Sequence, residues 1–218
     1  MIELKNTDDI ISYRDKYLEI HTYQIGKENI GVIIDRTREE SSRLRLKKNL
    51  ESARKKQGID EMTGLMNRSG FREQVMKHIV EQQEGTLIIF DLDNFKTIND
   101  TFGHPEGDRA ICLFADCLRE EFRKSDVTGR LGGDEFVAFL PGVISEEELE
   151  EKLEKTLQRA RKKLRSYEAY SVSVSAGAGR IDLNRGISSY QALYESADAA
   201  LYIAKKLGKN RFYINREE

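Results

Sequence analysis

Acidic residues at the ends of apolar runs are the first chemistry legible in this sequence. Leu87-Ile88-Ile89-Phe90 leads directly into Asp91-Leu92-Asp93-Asn94-Phe95-Lys96. A carboxylate that ends a buried strand stands at the rim of a sheet, where ligands usually bind. Asp93 or Asn94 has a competing role as the cap of the turn that begins at Phe95. A second acidic pair lies in Gly132-Gly133-Asp134-Glu135-Phe136. Its two glycines read as a hairpin tip, because glycine takes positive φ without steric cost. Solvated turn acids would be the plain reading. Against it, the pair leads at once into a buried strand, and Asp91 lies on a strand that could neighbour the hairpin. Carboxylates from adjacent strands plus a backbone carbonyl make a hard-oxygen site suited to Mg2+, the ion that usually travels on nucleotide phosphates. A third segment, Ala197 to Arg211, reads as an amphipathic helix stopped by Gly208. Lys205 and Lys209 there could reach phosphates, although compensation of the helix dipole is the competing reading.

The elements that must position these residues alternate. Residues 69–83 pattern as a helix through Phe71, Val75 and Ile79, and 86–91 as a buried strand. Residues 105–122 form an amphipathic helix, 127–131 and 135–140 two strands, and 146–165 a charged helix. Strand 170–178, helix 188–206 and a short strand 212–214 complete the order. The pattern contains a split β-α-β unit, which implies one sheet with helices packed on it. Upstream, Tyr17–Ile25 and Asn29–Asp35 read as strands around a Gly26-Lys27-Glu28 turn. Thr37 caps a helix to about Gln57, with Glu39 and Glu40 in its first turn. Leu46, Leu50, Ala53 and Gln57 follow a 4-3 spacing that suits a short parallel coiled coil. The seven basic residues and one acid of 43–56 read as a solvated face.

Composition narrows the function classes. The apolar fraction is 39% and the charged fraction 34%, which fits a surface-rich folded protein. A formal net charge of −2 excludes the strongly basic profile of a dedicated nucleic-acid binder. No apolar run approaches a membrane span, and residues 1–9 lack the apolar core of a secretion signal. A cytoplasmic location follows, with no membrane or nucleic-acid partner. Cys112 and Cys117 match no metal or disulfide pattern and read as buried structural thiols.

Residues 58–215 resemble the GGDEF domain of diguanylate cyclases. The signature stands unaltered at Gly132–Phe136. Further motifs of that family follow in order: Asp60 to Arg68, Asp91 to Lys96, Asn99-Asp100, Gly103-His104, Gly107-Asp108, Arg130, and Ala197-Asp198 through Asn210. The resemblance implies an α/β (α+β) fold. Its palm-like, ferredoxin-like split β-α-β nucleotide-cyclase core would carry a mostly antiparallel central sheet flanked by helices. It also implies condensation of two GTP to cyclic di-GMP with release of two pyrophosphates. Asp91, the carbonyl of Leu92 and Asp134 would hold Mg2+ (or Mn2+), with Glu135 a further ligand or the group that deprotonates the 3′-hydroxyl.

Asn99 and Asp108 would read guanine. A carboxylate only accepts, and guanine offers N1–H and an amine as donors, whereas adenine would leave Asp108 unpaired. The plainer roles are an N-cap for Asp108 and a helix end for Asn99. Lys205 and Lys209 would contact the β- and γ-phosphates, with backbone amides near Phe95 and Lys96. The family usually has arginine at the position of Lys209, so a bidentate contact is lost and the charge kept. Arg123-Lys124-Ser125-Asp126 matches the RxxD motif at which the family binds its product as an inhibitor; an intrahelical Arg–Asp pair is the alternative. Lys155 and Arg159 are the candidates for a second cation there. His104 belongs to a structural loop.

The expected organisation has three parts. Residues 1–36 resemble the last strands of a PAS sensor domain, 37–57 form a linker helix, and 58–218 the cyclase domain. A whole PAS domain needs roughly twice the length available, so the chain would be a piece of a longer protein or have a truncated sensor. One site holds one GTP and the product contains two, so catalysis needs a homodimer. The alternative function is a non-catalytic module that binds GTP or cyclic di-GMP. Retention of Asp91, Asp134 and Glu135 favours the enzyme. A polymerase-type palm is disfavoured by the net −5 of residues 58–218.

Overall fold

The structure is a computed structural model. It describes the backbone outside residues 1–3, 6–9, 14–15, 26, 57, 82–83, 182–188 and 216–218. Side chains are described along that backbone except at 4–5, 10–13, 24–25, 47–48 and 50–56. The chain divides into two units, Met1–Lys56 and Gln57–Glu218.

In the first unit, β1 (Leu4–Lys5) and β2 (Ile10–Tyr13) pair antiparallel with β3 (Lys16–Ile25), and β4 (Glu28–Asp35) pairs with β3 along eight residues. The helix α1 (Thr37–Lys56) follows. Thr37 does not cap it as expected. Its hydroxyl accepts from the backbone N–H of Tyr17 at 3.0 Å, and the Asp35 carboxylate accepts from the Thr37 N–H at 3.0 Å. Leu46 is exposed; the side chains of Leu50 and Ala53, and Gln57 altogether, lie outside the described residues.

The second unit runs β5 (Met66–Asn67), α2 (Arg68–Val80), β6 (Gly85–Asp93), α3 (Phe95–Phe102), α4 (His104–Glu121), β7 (Val127–Gly132) and β8 (Glu135–Pro141). It continues with α5 (Glu146–Lys163), β9 (Ser173–Arg180), α6 (Tyr190–Lys206) and β10 (Phe212–Ile214). The sheet order is β10-β9-β6-β8-β7-β5, antiparallel except for the two edge pairings. This is the mixed α/β architecture, a central sheet flanked by helices, that the sequence implies. Three elements differ from expectation, the first being the two-residue edge strand β5, which the sequence did not mark. The eight-residue α3 was legible only as a turn at Phe95 and a short helix ending near Asn99, and it runs on to Phe102. Residues Arg165–Tyr170 form a 3-10 turn, which delays β9 to Ser173. Tyr167 anchors that turn: its ring is buried and its hydroxyl donates to Glu106 at 2.6 Å.

Strand parity decides which way the rim residues point. Successive side chains of a strand face opposite sides. Ile88, Phe90 and Leu92 of β6 pack with α4 and α5, while Leu87 and Ile89 pack with α2 and α6. In β8, Phe136 and Ala138 join the first layer and Val137 and Phe139 the second. Asp91, Asp93 and Glu135 share the parity of the second layer, on the side of α6. Helix α6 lies unusually close to the sheet. A Cβ built on Gly177 would come to 2.6 Å from Leu201 Cα, and one on Gly179 to 2.7 Å from Ala197 N. Cys117 is buried, which pushes its thiol up to about 12, so it is inert at neutral pH. Cys112 is only half-buried, against expectation.

Candidate active site

Residue Asp91 sits directly opposite Glu135 in the β6–β8 register, and the N–H of Leu92 donates to the carbonyl of Asp134 at 3.3 Å. The signature turn is thereby clamped to the end of the central strand. Like charges placed opposite each other across two strands repel, so the rim calls for cations. Lys205 on α6 reaches Asp91 Oδ1 at 2.7 Å, and Arg68 at the start of α2 stands 3.8 Å from Glu135. Burial raises the Asp91 pKa. The hydrogen bond and charge of Lys205 oppose the rise, while the nearby Asp134 and Asp93 add to it. A carboxylate held above its usual range among further carboxylates is a place where a divalent cation fits. Among the described residues no three His, Cys, Asp or Glu side chains form a ready metal cluster. The fit therefore rests on Asp91, Asp134 and the carbonyl of Leu92, which are hard oxygen donors.

Lys209 lies on the same rim, its Nζ 2.8 Å from Asn94 Oδ1. Asn94 does not cap α3 with its side chain, so the expected capping role falls away. Phe95 and Lys96 open α3, where backbone N–H groups lack partners within the helix.

Asn99, in the middle of α3, faces Gly107 of α4. Its Oδ1 is buried and has no hydrogen-bond partner, and a buried unpaired acceptor is costly. A Cβ on Gly107 would lie 3.0 Å from Asn99 Cγ and 3.2 Å from Phe95 Cζ. Gly107 thus lets the Asn99 side chain pack against the start of α4, an approach that a Cβ would prevent. Gly103, not Asp108, is the N-cap of α4, and Gly103 also ends α3. Both plainer roles offered for Asn99 and Asp108 are thereby removed. Gly107→Ala is expected to lower guanine-nucleotide affinity by about tenfold, the cost of displacing one hydrogen-bonding side chain. Titration calorimetry with GTP checks this.

The signature turn has a support that sequence reasoning quoted without giving it a role. Arg130 is half-buried against Asp60, at 3.5 Å, and donates twice to the carbonyl of Gly133, at 2.8 and 3.0 Å. Asp60 in turn accepts from the backbone and hydroxyl of Thr63, and Arg119 on α4 bonds the Thr63 carbonyl. Burial pushes the Asp60 carboxyl up, but the Thr63 hydrogen bonds and the Arg130 charge outweigh it and hold it below the usual aspartate range. A depressed pKa stabilises the fold above the unfolded value of roughly 3.9, and the stabilisation is lost as pH falls through the lower folded value. Wild type should therefore lose stability between its neutral plateau and acid more steeply than Asp60→Asn. Urea unfolding at pH 7 and pH 3 would show it; parallel losses would count against the assignment.

Arg123 and Asp126 lie beyond the end of α4, in a turn closed by Asp126 N–H to the Arg123 carbonyl and by Arg123 N–H to the Asp126 carboxylate at 2.9 Å. The alternative of an intrahelical pair is thus corrected: the two residues close a turn. They line a cleft of about 530 Å3 with Pro141, Glu148, Lys152 and Lys155. Lys152, missed in the sequence, is the cation that holds the turn. It lies 3.4 Å from Asp126, donates to the Glu121 carbonyl at 2.9 Å and covers the Phe122 ring. Arg159 is committed to Glu120 and Glu121, and Lys155 pairs with Glu151.

The central sheet, its acidic rim and the lysines of α6 define a palm-like α/β domain of the nucleotide-cyclase type. Residues 57–211 match the family described as "Diguanylate cyclase, GGDEF domain", and the chain belongs to that family. It is 37% identical over 156 residues to the probable diguanylate cyclase DgcC of Escherichia coli K12, covering 70% of this chain and 42% of that protein. It is 34% identical over 171 residues to the diguanylate cyclase DgcP of Pseudomonas aeruginosa, covering 76% and 25%. The chain therefore spans less than half the length of these relatives. Among solved structures, the coiled coil and GGDEF domain of DgcB from Caulobacter crescentus, in complex with c-di-GMP, superposes with a TM-score of 0.64 at 26% identity. That match covers 82% of this chain and 97% of that one. The active GGEEF domain of a Vibrio cholerae diguanylate cyclase matches with a TM-score of 0.59 at 30% identity, covering 69% and 94%. No helix among the described residues is long and apolar enough to cross a membrane.

Proposed function

We propose that this chain condenses two GTP molecules into cyclic di-GMP and two pyrophosphates, as a bacterial second-messenger enzyme of the cytoplasm. The observation that carries the reading is the in-register pairing of Asp91 with Glu135 on one sheet rim, with Lys205 at 2.7 Å from Asp91. Asp91, the Leu92 carbonyl and Asp134, with Glu135 as a further ligand or as base, are the residues that would hold Mg2+ (or Mn2+). Such an ion supplies neutralisation of charge on the phosphate oxygens. Lys205 and Lys209, with Lys96 and the amides at Phe95 and Lys96, orient the β- and γ-phosphates. Asn99 and Asp108 hold the guanine edge. In each half-reaction a 3′-oxygen bonds to the α-phosphorus of the facing nucleotide. The bond to the pyrophosphate oxygen breaks, and the hydroxyl proton passes to a carboxylate of the rim. Holding both partners in line is the main protein contribution beyond electrostatics.

Two copies must face each other for this reaction, and the helix at 37–57 is where we place their association. Residues 1–36 are assigned as the trailing strands of a PAS-like sensor, and 58–218 as the catalytic domain. Arg123 and Asp126, in the cleft beside Lys152 and Lys155, are assigned to product inhibition. Binding selectivity tests the substrate: the chain is expected to hold GTP at least about 100-fold more tightly than ATP, because adenine leaves Asp108 unpaired. Equal affinities would remove the guanine assignment.

A further inference from the structure

We propose that Asp93 is a positioning residue for the phosphate end of the site: its buried carboxylate, together with Asn94, sets the backbone that aims Lys209. The inference rests on the reading of Lys209 as a phosphate-binding group.

Asp93 is 2% exposed and takes no part in capping α3. It accepts from Ser173 Oγ at 2.7 Å, Ser175 Oγ at 2.9 Å and the backbone N–H of Asn210 at 3.2 Å. A buried carboxylate is tolerated only when donors satisfy it, and an ionised carboxylate accepts without donating. Three donors from β9 and from the segment after α6 converge on this one group.

The same place gathers the backbone strain of the domain. Among the described residues, the non-glycine positions with positive φ are Asn94 (57°), Ser171 (57°), Lys209 (61°) and Asn210 (52°). Such conformations are unfavourable for residues with a Cβ and persist where the surroundings impose them. All four belong to one network. The Asn94 amide donates to the Ser171 carbonyl at 2.8 Å, and its oxygen accepts from Lys209 Nζ at 2.8 Å. The Asn210 N–H is held by Asp93, and its side chain and carbonyl accept from Arg161 at 2.9 and 3.0 Å. Ending α6 does not require this arrangement. Gly208, with φ of 113°, already supplies the left-handed residue that a helix terminus uses. Two further strained residues after that glycine fix the direction of the Lys209 side chain, and Asp93 is the buried anchor that keeps them so.

The test compares binding of the α,β-methylene analogue of GTP with binding of GMP, which keeps the base end and lacks the β- and γ-phosphates. Asn94→Gly retains a residue suited to positive φ and removes the acceptor of Lys209. Asp93→Asn removes the charge that anchors Asn210; should it not fold, Ser175→Ala, which removes one donor to Asp93, takes its place. Each variant is expected to bind the triphosphate analogue about tenfold more weakly, the scale of one charge-assisted hydrogen bond, with GMP affinity unchanged. In a Lys209→Met background, Asn94→Gly is expected to cost nothing further, because coupled residues are not additive. Unchanged triphosphate affinity, an equal loss for GMP, or full additivity with Lys209→Met would overturn the positioning role. A wild-type chain that binds the analogue no better than GMP would overturn the phosphate role of Lys209 as well, and so separates the two failures.

Discussion

Asp134→Ala is expected to lower GTP turnover by on the order of 10³-fold or more, since stabilisation of phosphate charge is usually the largest catalytic contribution. The loss should come without loss of stability. Asp134 is one of the carboxylates that raise the pKa of Asp91, so its removal relieves repulsion at the rim. The backbone clamp from the Leu92 N–H to residue 134 uses a carbonyl that alanine also supplies. A thermal melt superposable on wild type, with turnover measured by pyrophosphate release, separates a chemical defect from unfolding. Retained turnover would remove Asp134 from the site.

The second large effect concerns stability. Gly177→Ala is expected to destabilise the second unit by about 3 kcal/mol, at the upper end of overpacking costs. The new methyl group meets the backbone of α6 at Leu201 and Ala197, not a side chain that can turn away. For a domain of this size that corresponds to a fall in Tm of about 6–12 °C. Any relief of the clash moves α6 off the sheet and carries Lys205 away from Asp91, so residual activity should fall in the fraction that stays folded. Calorimetry on the variant checks the first part and turnover below the transition the second. An unchanged Tm would mean that the approach of α6 to β9 is looser than described.

Much of this was legible in the sequence because it follows from pattern. The run Leu87–Phe90 could only be a buried strand. Its parity, continued to Asp91, gives the direction of the carboxylate once the neighbouring helices are known. The Gly132-Gly133 turn announces itself through the one residue type that adopts positive φ freely. What stayed hidden lacks such a mark. The left-handed backbone at Asn94, Ser171, Lys209 and Asn210 is imposed by tertiary hydrogen bonds, so the sequence left Asp93 open between a rim carboxylate and a helix cap. Helix α3 was legible only as a turn at Phe95 and a short helix ending near Asn99, because its eight residues carry little more than two turns of periodicity. Lys152 was one lysine among the charges of α5, and only the fold brings it to Asp126, 26 positions away in sequence. The N-cap alternative for Asp108 could not be dismissed from its place near the start of a helix, and only the fold gives that role to Gly103.

The central claim is that this chain carries out the condensation itself and does not merely hold nucleotide. The direct measurement is chromatographic analysis of the products formed when the purified full chain is incubated with GTP and Mg2+, beside a sample with ATP in place of GTP. The account predicts cyclic di-GMP and two equivalents of pyrophosphate from GTP, and no cyclic dinucleotide from ATP. GTP bound at the site but recovered intact at chain concentrations high enough to drive self-association would contradict it.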